Sequence, residues 1–241
     1  MENEIIVVTG LTKKYGQVKA VENFNITVKE GEIFGLLGSN GAGKSTTIEC
    51  MLGLKKRDSG SVQILKMNPL ANRRKLFNEV GVQFQESYYP DRIKVKEMCE
   101  LTSSLYNKPI DWMGMLKRFE LNDKTDQMVS KLSGGERQKL SVILALLHNP
   151  KVVFLDELTT GLDPAARKEV WKFLKGLKEK GLTIFLTSHY MDEVHYLCDT
   201  ISIINKGREI ITGTPDEVIQ KSGEENLEEA YLKYIKQEVV K

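Results

Sequence analysis

Residues 38–45 carry a glycine-rich pattern that restricts the fold more than any other part of the chain. The stretch reads Gly-Ser-Asn-Gly-Ala-Gly-Lys-Ser and satisfies Gly-x4-Gly-Lys-[Ser/Thr] at every position. A short apolar run, residues 32–37, precedes it, and helical spacing follows from Ser45 to Leu54. A strand, a glycine loop and a helix in this order form a phosphate-binding P-loop. The alternative, a glycine-rich turn that binds nothing, is disfavoured by this context.

The P-loop pattern also predicts which atoms contact the ligand. Its glycines allow backbone N–H groups to face phosphate oxygens, and the N-terminus of the following helix adds partial positive charge. Lys44 is predicted to reach the β- and γ-phosphates, and the Ser45 hydroxyl is predicted to bind Mg2+.

A second chemical feature follows Pro150. The apolar run Val152–Leu155 leads directly into Asp156 and Glu157. Because ligands of open α/β sheets bind at the carboxyl ends of the strands, both acids are predicted to lie beside the P-loop. Asp156 suits Mg2+, directly or through water, and Glu157 suits a general base for an attacking water. Many strands end in an acid, so the prediction of a nucleoside triphosphatase depends on the pairing with the P-loop.

A third motif opens a long predicted helix. Leu132–Glu136 places Ser133 and two glycines just before the helical N-terminus. Such a terminus can hold an anion. The same residues also fit an ordinary helix cap, with Ser133 as the cap and Glu136 closing a capping box three residues later. Both interpretations can hold, because a cap does not occupy every free N–H group.

Strand and helix patterns divide the chain into strand-rich regions and one helical region. Short apolar runs such as Ile5–Val8 and Phe24–Val28 predict strands before the P-loop, and helical spacing dominates over 86–149. After Pro150, strands alternate with a helix at Ala166–Lys178, which indicates βαβ units and a parallel sheet. Residues 224–241 are predicted to form a final helix whose acids come first and whose lysines come last, as suits the helix dipole.

Composition excludes several classes of protein. The net charge is only +2, so no basic footprint points to nucleic acid. The longest apolar stretch, near residues 140–147, is far too short to cross a bilayer. The three cysteines (Cys50, Cys99 and Cys198) lack metal-site spacing, and they suggest free thiols in a reducing cytoplasm.

With these motifs in place, the chain resembles the nucleotide-binding subunit of an ABC transporter over nearly its whole length. Leu132–Glu136 resembles the family signature Leu-Ser-Gly-Gly-Gln, and Gly161–Pro164 resembles the D-loop. Gln85 resembles the Q-loop glutamine, and His189 resembles the switch histidine. Val152–Glu157 resembles the Walker B strand.

The resemblance implies a fold and a set of domain boundaries. The implied fold class is α/β: a P-loop NTPase core with a mainly parallel sheet, an N-terminal antiparallel β subdomain and an inserted helical lobe. The prediction is a single ABC-type ATPase domain over residues 1–241. Its parts are the β subdomain and P-loop core at 1–85 and 150–222, the helical lobe at 86–149 and the C-terminal helix at 224–241.

The resemblance also implies ligands and residue roles, with ATP and Mg2+ as cofactors. The implied catalytic residues are Glu157, His189 and Lys44, and the implied metal-binding residues are Ser45, Gln85 and Asp156. The residues implied to contact the nucleotide are Tyr15, which stacks on adenine, and Ser39, Asn40, Gly41, Ala42, Gly43, Lys44, Ser45, Thr46, Gln85, Ser133, Gly134, Gly135, Glu136 and Asp163.

Three positions depart from the usual family pattern. Ser39 and Leu158 stand where proline is common, and Glu136 replaces glutamine at the end of the signature. None of the three removes a catalytic group. The departure at Glu136 concerns the ribose contacts, and the departure at Leu158 concerns the rigidity of the backbone beside Glu157.

The partners implied by the resemblance are a second ATPase subunit and a membrane protein. Two subunits, identical or homologous, would close head to tail over two ATP molecules and drive a separate integral membrane permease. Residues 159–164 and 188–193 resemble the subfamily that serves drug, antibiotic and ABC-2-type exporters. The adjacent Tyr88 and Tyr89 are predicted to dock the permease. The implied location is cytoplasmic, peripheral on the inner face of the cell membrane, with no nucleic-acid partner.

Two other functions were weighed against this one. ABC ATPases of DNA repair or translation resemble this family, but they usually carry two such domains or a long coiled-coil insertion. A small-molecule kinase built on a P-loop would lack the signature motif and the D-loop. The transported compound, the direction of transport and the identity of the second subunit stay open at this point.

Overall fold

Two β-sheets form the framework of the molecule, for which a computed structural model describes residues 3–85 and 88–239. The strands are β1 (Glu4–Tyr15), β2 (Val18–Lys29), β3 (Ile33–Leu37), β4 (Ser59–Ile64), β5 (Val80–Gln83), β6 (Val152–Asp156), β7 (Thr183–Ser188), β8 (Thr200–Asn205) and β9 (Arg208–Gly213).

The two sheets differ in strand direction. A three-stranded antiparallel sheet has the order β2-β1-β4, and a six-stranded sheet has the order β5-β6-β7-β3-β8-β9. Strands β5, β6, β7, β3 and β8 are parallel, and β9 pairs with β8 in the antiparallel sense. The parallel strands β3, β6 and β7 are buried at every residue, which is typical of strands covered on both faces.

Most helices lie in the connections between strands, and the last two follow β9 at the end of the chain. The helices are α1 (Lys44–Met51), α2 (Arg73–Leu76), α3 (Val95–Ser104), α4 (Trp112–Arg118), α5 (Gly134–Leu146), α6 (Pro164–Lys178), α7 (Met191–Leu197), α8 (Pro215–Ser222) and α9 (Leu227–Val239), with short 3-10 helices at Asn122–Lys124 and Val129–Lys131.

Alternating residues of the central strand β3 belong to two apolar cores. Phe34 and Leu36 pack with the antiparallel sheet and α1, whereas Ile33 and Leu37 pack on the side of the helices. Because successive side chains of a strand point to opposite faces, one short strand fixes both layers. The loop that follows β3 is therefore held from both sides.

The backbone of helix α5 comes into direct contact with the backbone of strand β5 at Gly81. A Cβ atom added to Gly81 on β5 would lie 2.1 Å from the carbonyl oxygen of Ala145 on α5. Any residue larger than glycine at this position would force the helix away from the strand. The close approach explains why glycine occupies an otherwise apolar strand.

The predicted fold class is confirmed, and most predicted elements are present with shifted ends. The helix predicted at Ala166–Lys178 begins at Pro164, and the C-terminal helix begins at Leu227 rather than at residue 224. Helices α2, α7 and α8 were not predicted. The domain boundaries stay a prediction. Residues 1–2, 86–87 and 240–241, which the predicted domain, lobe and tail helix include, lie outside the described residues.

Candidate functional site

The carboxyl ends of three neighbouring parallel strands bring the main predicted residues to one edge of the sheet. Strand β3 leads into the P-loop, β6 ends at Asp156, and β7 ends at Ser188 immediately before His189. Leu37 on β3 pairs with Ser188 on β7, and Asp156 on β6 pairs with Thr187 on β7. The strand register therefore places the P-loop, the acidic pair and His189 side by side.

Backbone geometry lets the P-loop turn tightly into α1. Gly43 has φ 108°, and a Cβ atom there would lie 2.4 Å from the carbonyl oxygen of Ala20 on β2. A side chain at this position would meet both a steric and a conformational penalty. The antiparallel sheet thus supports the loop from outside, and α1 begins at the very next residue, Lys44.

Lys44 is the cation of this site and is only 5% exposed. Its Nζ donates hydrogen bonds to the carbonyl oxygens of Gly38 at 2.9 Å and Ser39 at 3.3 Å. The same Nζ lies 3.2 Å from Oε1 of Glu157. A buried ammonium group held by two backbone carbonyls is fixed in position, which suits the recognition of a phosphate.

Glu157 is the most connected acid of the site and is 6% exposed. Its Oε2 accepts a hydrogen bond from Nε2 of Gln85 at 3.0 Å and lies 3.6 Å from Nδ1 of His189. Its backbone has φ 51°, an uncommon conformation for a residue other than glycine. This backbone turns the carboxylate toward Lys44 rather than along the strand.

Asp156 is held by a residue that the sequence analysis did not single out. The hydroxyl of Thr187 donates to Oδ1 of Asp156 at 2.5 Å and accepts from the backbone N–H of Glu157 at 3.0 Å. One threonine therefore orients both acids. The signal for it was available, because Thr187 lies just before Ser188 and His189 near the end of a predicted strand.

A cavity of about 340 Å³ opens between these groups. Its polar walls combine backbone N–H groups and hydroxyls with one lysine, one glutamine and one glutamate, a set suited to phosphate and water. The lining residues are Ala20, Asn40, Gly41, Gly43, Lys44, Ser45, Thr46, Gln85 and Glu157.

Two predicted loops form a second cluster, which we call the signature cluster: Ser133–Glu136 and Asp163. Ser133 caps α5 in a capping box, in which its hydroxyl accepts from the N–H of Glu136 at 3.2 Å and Oε2 of Glu136 accepts from the N–H of Ser133 at 2.8 Å. The bond from the Ser133 N–H is the main cause of the lowered pKa of Glu136. A Cβ atom on Gly135 would lie 3.1 Å from Leu162, next to Asp163.

Asp163 caps the next long helix of the chain. Its Oδ1 accepts hydrogen bonds from the N–H groups of Ala165 at 2.9 Å and Ala166 at 3.0 Å at the start of α6. The bond from Ala166 is the first cause of the lowered pKa of Asp163. The carboxylate is therefore held at the helix N-terminus, and the loop before it is fixed against the signature motif.

The predicted site residues thus fall into two groups within one chain. Among residues 3–85 and 88–239, no hydrogen bond or ion pair joins the signature cluster to the residues around Lys44 and Glu157. Tyr15 lies apart from both groups, at the end of β1, with Lys13 and Lys55 over its ring at 5.1 and 5.7 Å. Its strand is paired with β2, which carries Ala20 against the P-loop.

The described part of the chain lacks both a cluster of metal-ligating side chains and a membrane-spanning helix. No group of three or more His, Cys, Asp or Glu side chains is placed to hold a metal ion. None of the helices is long and apolar enough to cross a bilayer.

The fold and the cavity place the chain in the class of P-loop ATPases that carry a signature motif. The family described as ABC transporter matches residues 21–160, which is more than half of the 241 residues. The chain belongs to this family and is an ATP-binding ATPase. The predicted resemblance and enzyme class are thereby confirmed.

Relatives and solved structures agree with this assignment. Nod factor export ATP-binding protein I of Ralstonia nicotianae is 37% identical over 220 residues, which are 89% of this chain and 68% of that protein. The probable multidrug ABC transporter ATP-binding protein YbhF of Escherichia coli is 35% identical over 243 residues, 96% and 42% of the two chains. Bacitracin transport ATP-binding protein BcrA of Bacillus licheniformis is 36% identical over 229 residues, 93% and 74% of the two chains.

Two solved structures share the fold along most of their length. An ATP binding subunit of an ABC transporter superposes with a TM-score of 0.88 at 25% identity, covering 95% of this chain and 99% of the other. The cbiO1 protein from Clostridium perfringens, part of the transporter complex cbiONQ, gives a TM-score of 0.78 at 28% identity, covering 91% and 92%. The chain spans less than half of the length of YbhF.

Proposed function

We propose that this chain is the ATP-hydrolysing subunit of a separate membrane-spanning exporter of drugs, antibiotics or similar compounds. The observation that carries the proposal is the convergence of Lys44, Gln85 and His189 on the carboxylate of Glu157, which lines the cavity beside the P-loop. The relatives named for multidrug, bacitracin and Nod factor transport support export as the direction. The site supplies the energy, and the exported compound is bound by the membrane protein.

The proposed chemistry is hydrolysis of the γ-phosphate by water. Lys44 and the N–H groups of the P-loop bind the phosphates, and Glu157 takes the proton of the attacking water. His189 stabilises the γ-phosphate from the edge of β7. The contacts of Glu157 with Gln85 and His189 support a base that is held in one orientation.

The donor set beside the P-loop fits Mg2+. Magnesium binds proteins through one or two carboxylates or hydroxyls and takes its remaining ligands from phosphates and water. The Ser45 hydroxyl, the Asp156 carboxylate and the amide oxygen of Gln85 are oxygen donors of this kind. When bound, the ion neutralises the phosphate charge and fixes the geometry of the nucleotide.

A second subunit is part of the proposal because the two groups of site residues are separate within one chain. The signature cluster presents a helix N-terminus, which suits an anion, yet it makes no contact with the described residues around Lys44. A head-to-tail pair of subunits would place this cluster on the nucleotide of the partner. Each ATP would then lie between two chains.

Tyr15 is proposed to stack on the adenine ring. Its side chain is 45% exposed at the end of β1, the strand paired with β2, and β2 supports the P-loop through Ala20. Stacking of an aromatic side chain on a base is worth roughly 1–3 kcal/mol in nucleic-acid binders, so Tyr15→Ala should raise the KM for ATP by about 5- to 150-fold and leave kcat similar. Steady-state ATPase kinetics measure both constants. Tyr15→Phe, which keeps the ring, should behave like wild type, and a fall in kcat alone would remove the stacking role.

The proposed docking surface for the permease is a cleft of about 400 Å³ between strand β5 and the helices α3 and α5. Tyr88 is 91% exposed at its rim, whereas Tyr89 is half-buried against the core. Aromatic anchors next to an apolar cleft are typical of interface hot spots. The cleft is lined by Phe77, Val80, Val82, Phe84, Tyr88, Tyr89, Met98, Thr102, Tyr106, Ser141, Leu144, Ala145 and His148.

The docking proposal and the exporter function are tested together. Tyr88→Ser should leave ATP hydrolysis by the isolated subunit unchanged within about two-fold and lower permease-dependent transport by about 10-fold or more. The measurement is uptake into inverted vesicles that contain this chain and the candidate membrane permease. Leu70→Ser, at an exposed apolar residue outside the cleft, is the matched control. Absence of any ATPase stimulation by that membrane protein would count against the exporter function itself.

The proposed location is the inner face of the cell membrane. A subunit that uses ATP and docks on a permease must work where ATP is available. Fractionation with and without the permease tests this, because the chain should move to the membrane fraction only when the permease is present.

A further inference from the structure

A buried carboxyl group outside the cavity contacts three segments that carry proposed catalytic or nucleotide-binding residues. Glu193, in the first turn of α7, is 1% exposed. Its Oε2 accepts a hydrogen bond from the hydroxyl of Ser188 at 2.5 Å. Ser188 immediately precedes His189, and its hydroxyl also accepts from the N–H of Tyr190 at 3.0 Å. The Glu193 contact thus holds the backbone on both sides of His189.

The other oxygen of the same carboxyl group reaches a different helix. Oε1 of Glu193 accepts a hydrogen bond from Nε1 of Trp171 at 2.9 Å. Trp171 is buried on α6, the helix that begins at the Asp163 cap. The orientation of α6, and with it the loop that carries Asp163, is therefore tied to the segment of His189.

A third contact connects the carboxyl group to the segment after the proposed base. The hydroxyl of Thr159 faces Glu193 and helps to stabilise its charged form. This hydroxyl is buried and forms no hydrogen bond within the described residues, so the contact is weaker than the first two. Thr159 follows Glu157 by two residues, and its carbonyl accepts from the N–H of Leu162.

Burial of the Glu193 carboxylate is unfavourable in free energy, so a purely structural role does not explain it well. No Lys, Arg or His of the described chain forms an ion pair with it, and loss of solvation raises its pKa. Buried charges are usually paired, and replacing such polar groups with apolar ones often stabilises a protein. A buried carboxyl group whose partners lie on the three segments that carry Glu157, Asp163 and His189 is more readily explained by positioning than by stability.

We propose that Glu193 is a positioning residue for ATP hydrolysis, which locks the segments of Glu157, Asp163 and His189 into one arrangement through Thr159, Trp171 and Ser188. This inference rests on the proposed function. Glu193 acts through these neighbours and does not touch the nucleotide.

The test compares two substitutions at Glu193. Glu193→Ala removes all three contacts and should lower kcat by about 10-fold while the Kd for ATP stays within about two-fold. Glu193→Gln keeps an acceptor for Trp171, and its amide can donate to the Ser188 hydroxyl, so kcat should recover to within about three-fold of wild type. Tyr196→Phe, on the same helix but without a bond to the carboxyl group, is the control.

A mutant cycle then separates positioning from general loss of structure. Ser188→Ala should lower kcat by itself, and Glu193→Ala should lower it by a smaller factor in that background than in the wild-type chain, because both changes break the Ser188 hydrogen bond and only Glu193→Ala also breaks the Trp171 bond. Kinetics are measured on protein whose folded fraction is verified by thermal unfolding. The proposal is overturned if Glu193→Ala lowers the melting temperature with an unchanged kcat, or if the two effects multiply. Absence of ATP hydrolysis by the wild-type chain would instead refute the proposed function.

Discussion

Glu157→Gln is expected to bind ATP and to hydrolyse it about 10²–10⁴ times more slowly than the wild-type chain. The amide keeps the volume of the side chain, but it cannot accept the proton of an attacking water. The substitution also removes one charge of the pair with Lys44, whose Nζ is then free of its only carboxylate contact among the described residues. ATP binding should therefore persist, and the protein should accumulate as an ATP-bound dimer that size-exclusion chromatography detects.

The matched control for this variant is another buried glutamate. Glu32 is 9% exposed and precedes β3 at the opposite edge of the sheet, where its Oε2 accepts from the N–H of Lys29. Glu32→Gln should hydrolyse ATP at the wild-type rate. If Glu157→Gln retained turnover within a factor of about three, Glu157 would not be the general base.

Restoration of activity on mixing two inactive variants is the second large effect. Lys44→Ala disables the P-loop, and Ser133→Arg blocks the signature cluster. If ATP lies between two chains, a mixed dimer has one complete site, formed by the P-loop of the Ser133→Arg chain and the signature of the Lys44→Ala chain. ATPase activity should rise from background to at most the activity of one site in the mixed fraction.

Two controls make this experiment decisive. A mixture of Lys44→Ala with a chain that carries both substitutions has no intact P-loop, so it should stay inactive. Ser133→Ala removes the hydroxyl cap of α5 without adding bulk, so it separates loss of the cap, worth about 1 kcal/mol, from the block caused by arginine. A covalently linked pair of the two variants that binds two ATP, closes and still shows no hydrolysis would contradict independent sites shared between chains.

The parts of the site that follow from local sequence could be predicted. The P-loop, the strand before Asp156 and the cap at Ser133 each depend on a few consecutive residues, and their geometry repeats wherever the pattern occurs. The start of α8 also has a local sequence signal, because Thr214 and Glu217 form a capping box around Pro215. The sequence analysis nevertheless did not identify this helix.

The remaining features depend on contacts between distant residues. The bond from Thr187 to Asp156 exists because β6 and β7 are paired in one particular register. The left-handed backbone of Glu157 is imposed by its surroundings and has no local signal. Glu193 looks like a surface residue of an amphipathic helix until Trp171, 22 positions away, is placed beside it. Such pairings require the tertiary structure.

The contact between Gly81 and Ala145 fixes α5 near its C-terminal end, so that a rotation of the helix about this contact moves its N-terminal end the most. Ser133 lies twelve residues before Ala145, which is about 18 Å of helix at roughly 1.5 Å per residue. A rotation of about 10° around this contact would move Ser133 by about 3 Å, close to the length of a hydrogen bond. The proposed docking cleft lies beside this contact, so in the proposed dimer a small push at the cleft would become a larger displacement at the nucleotide of the neighbouring subunit.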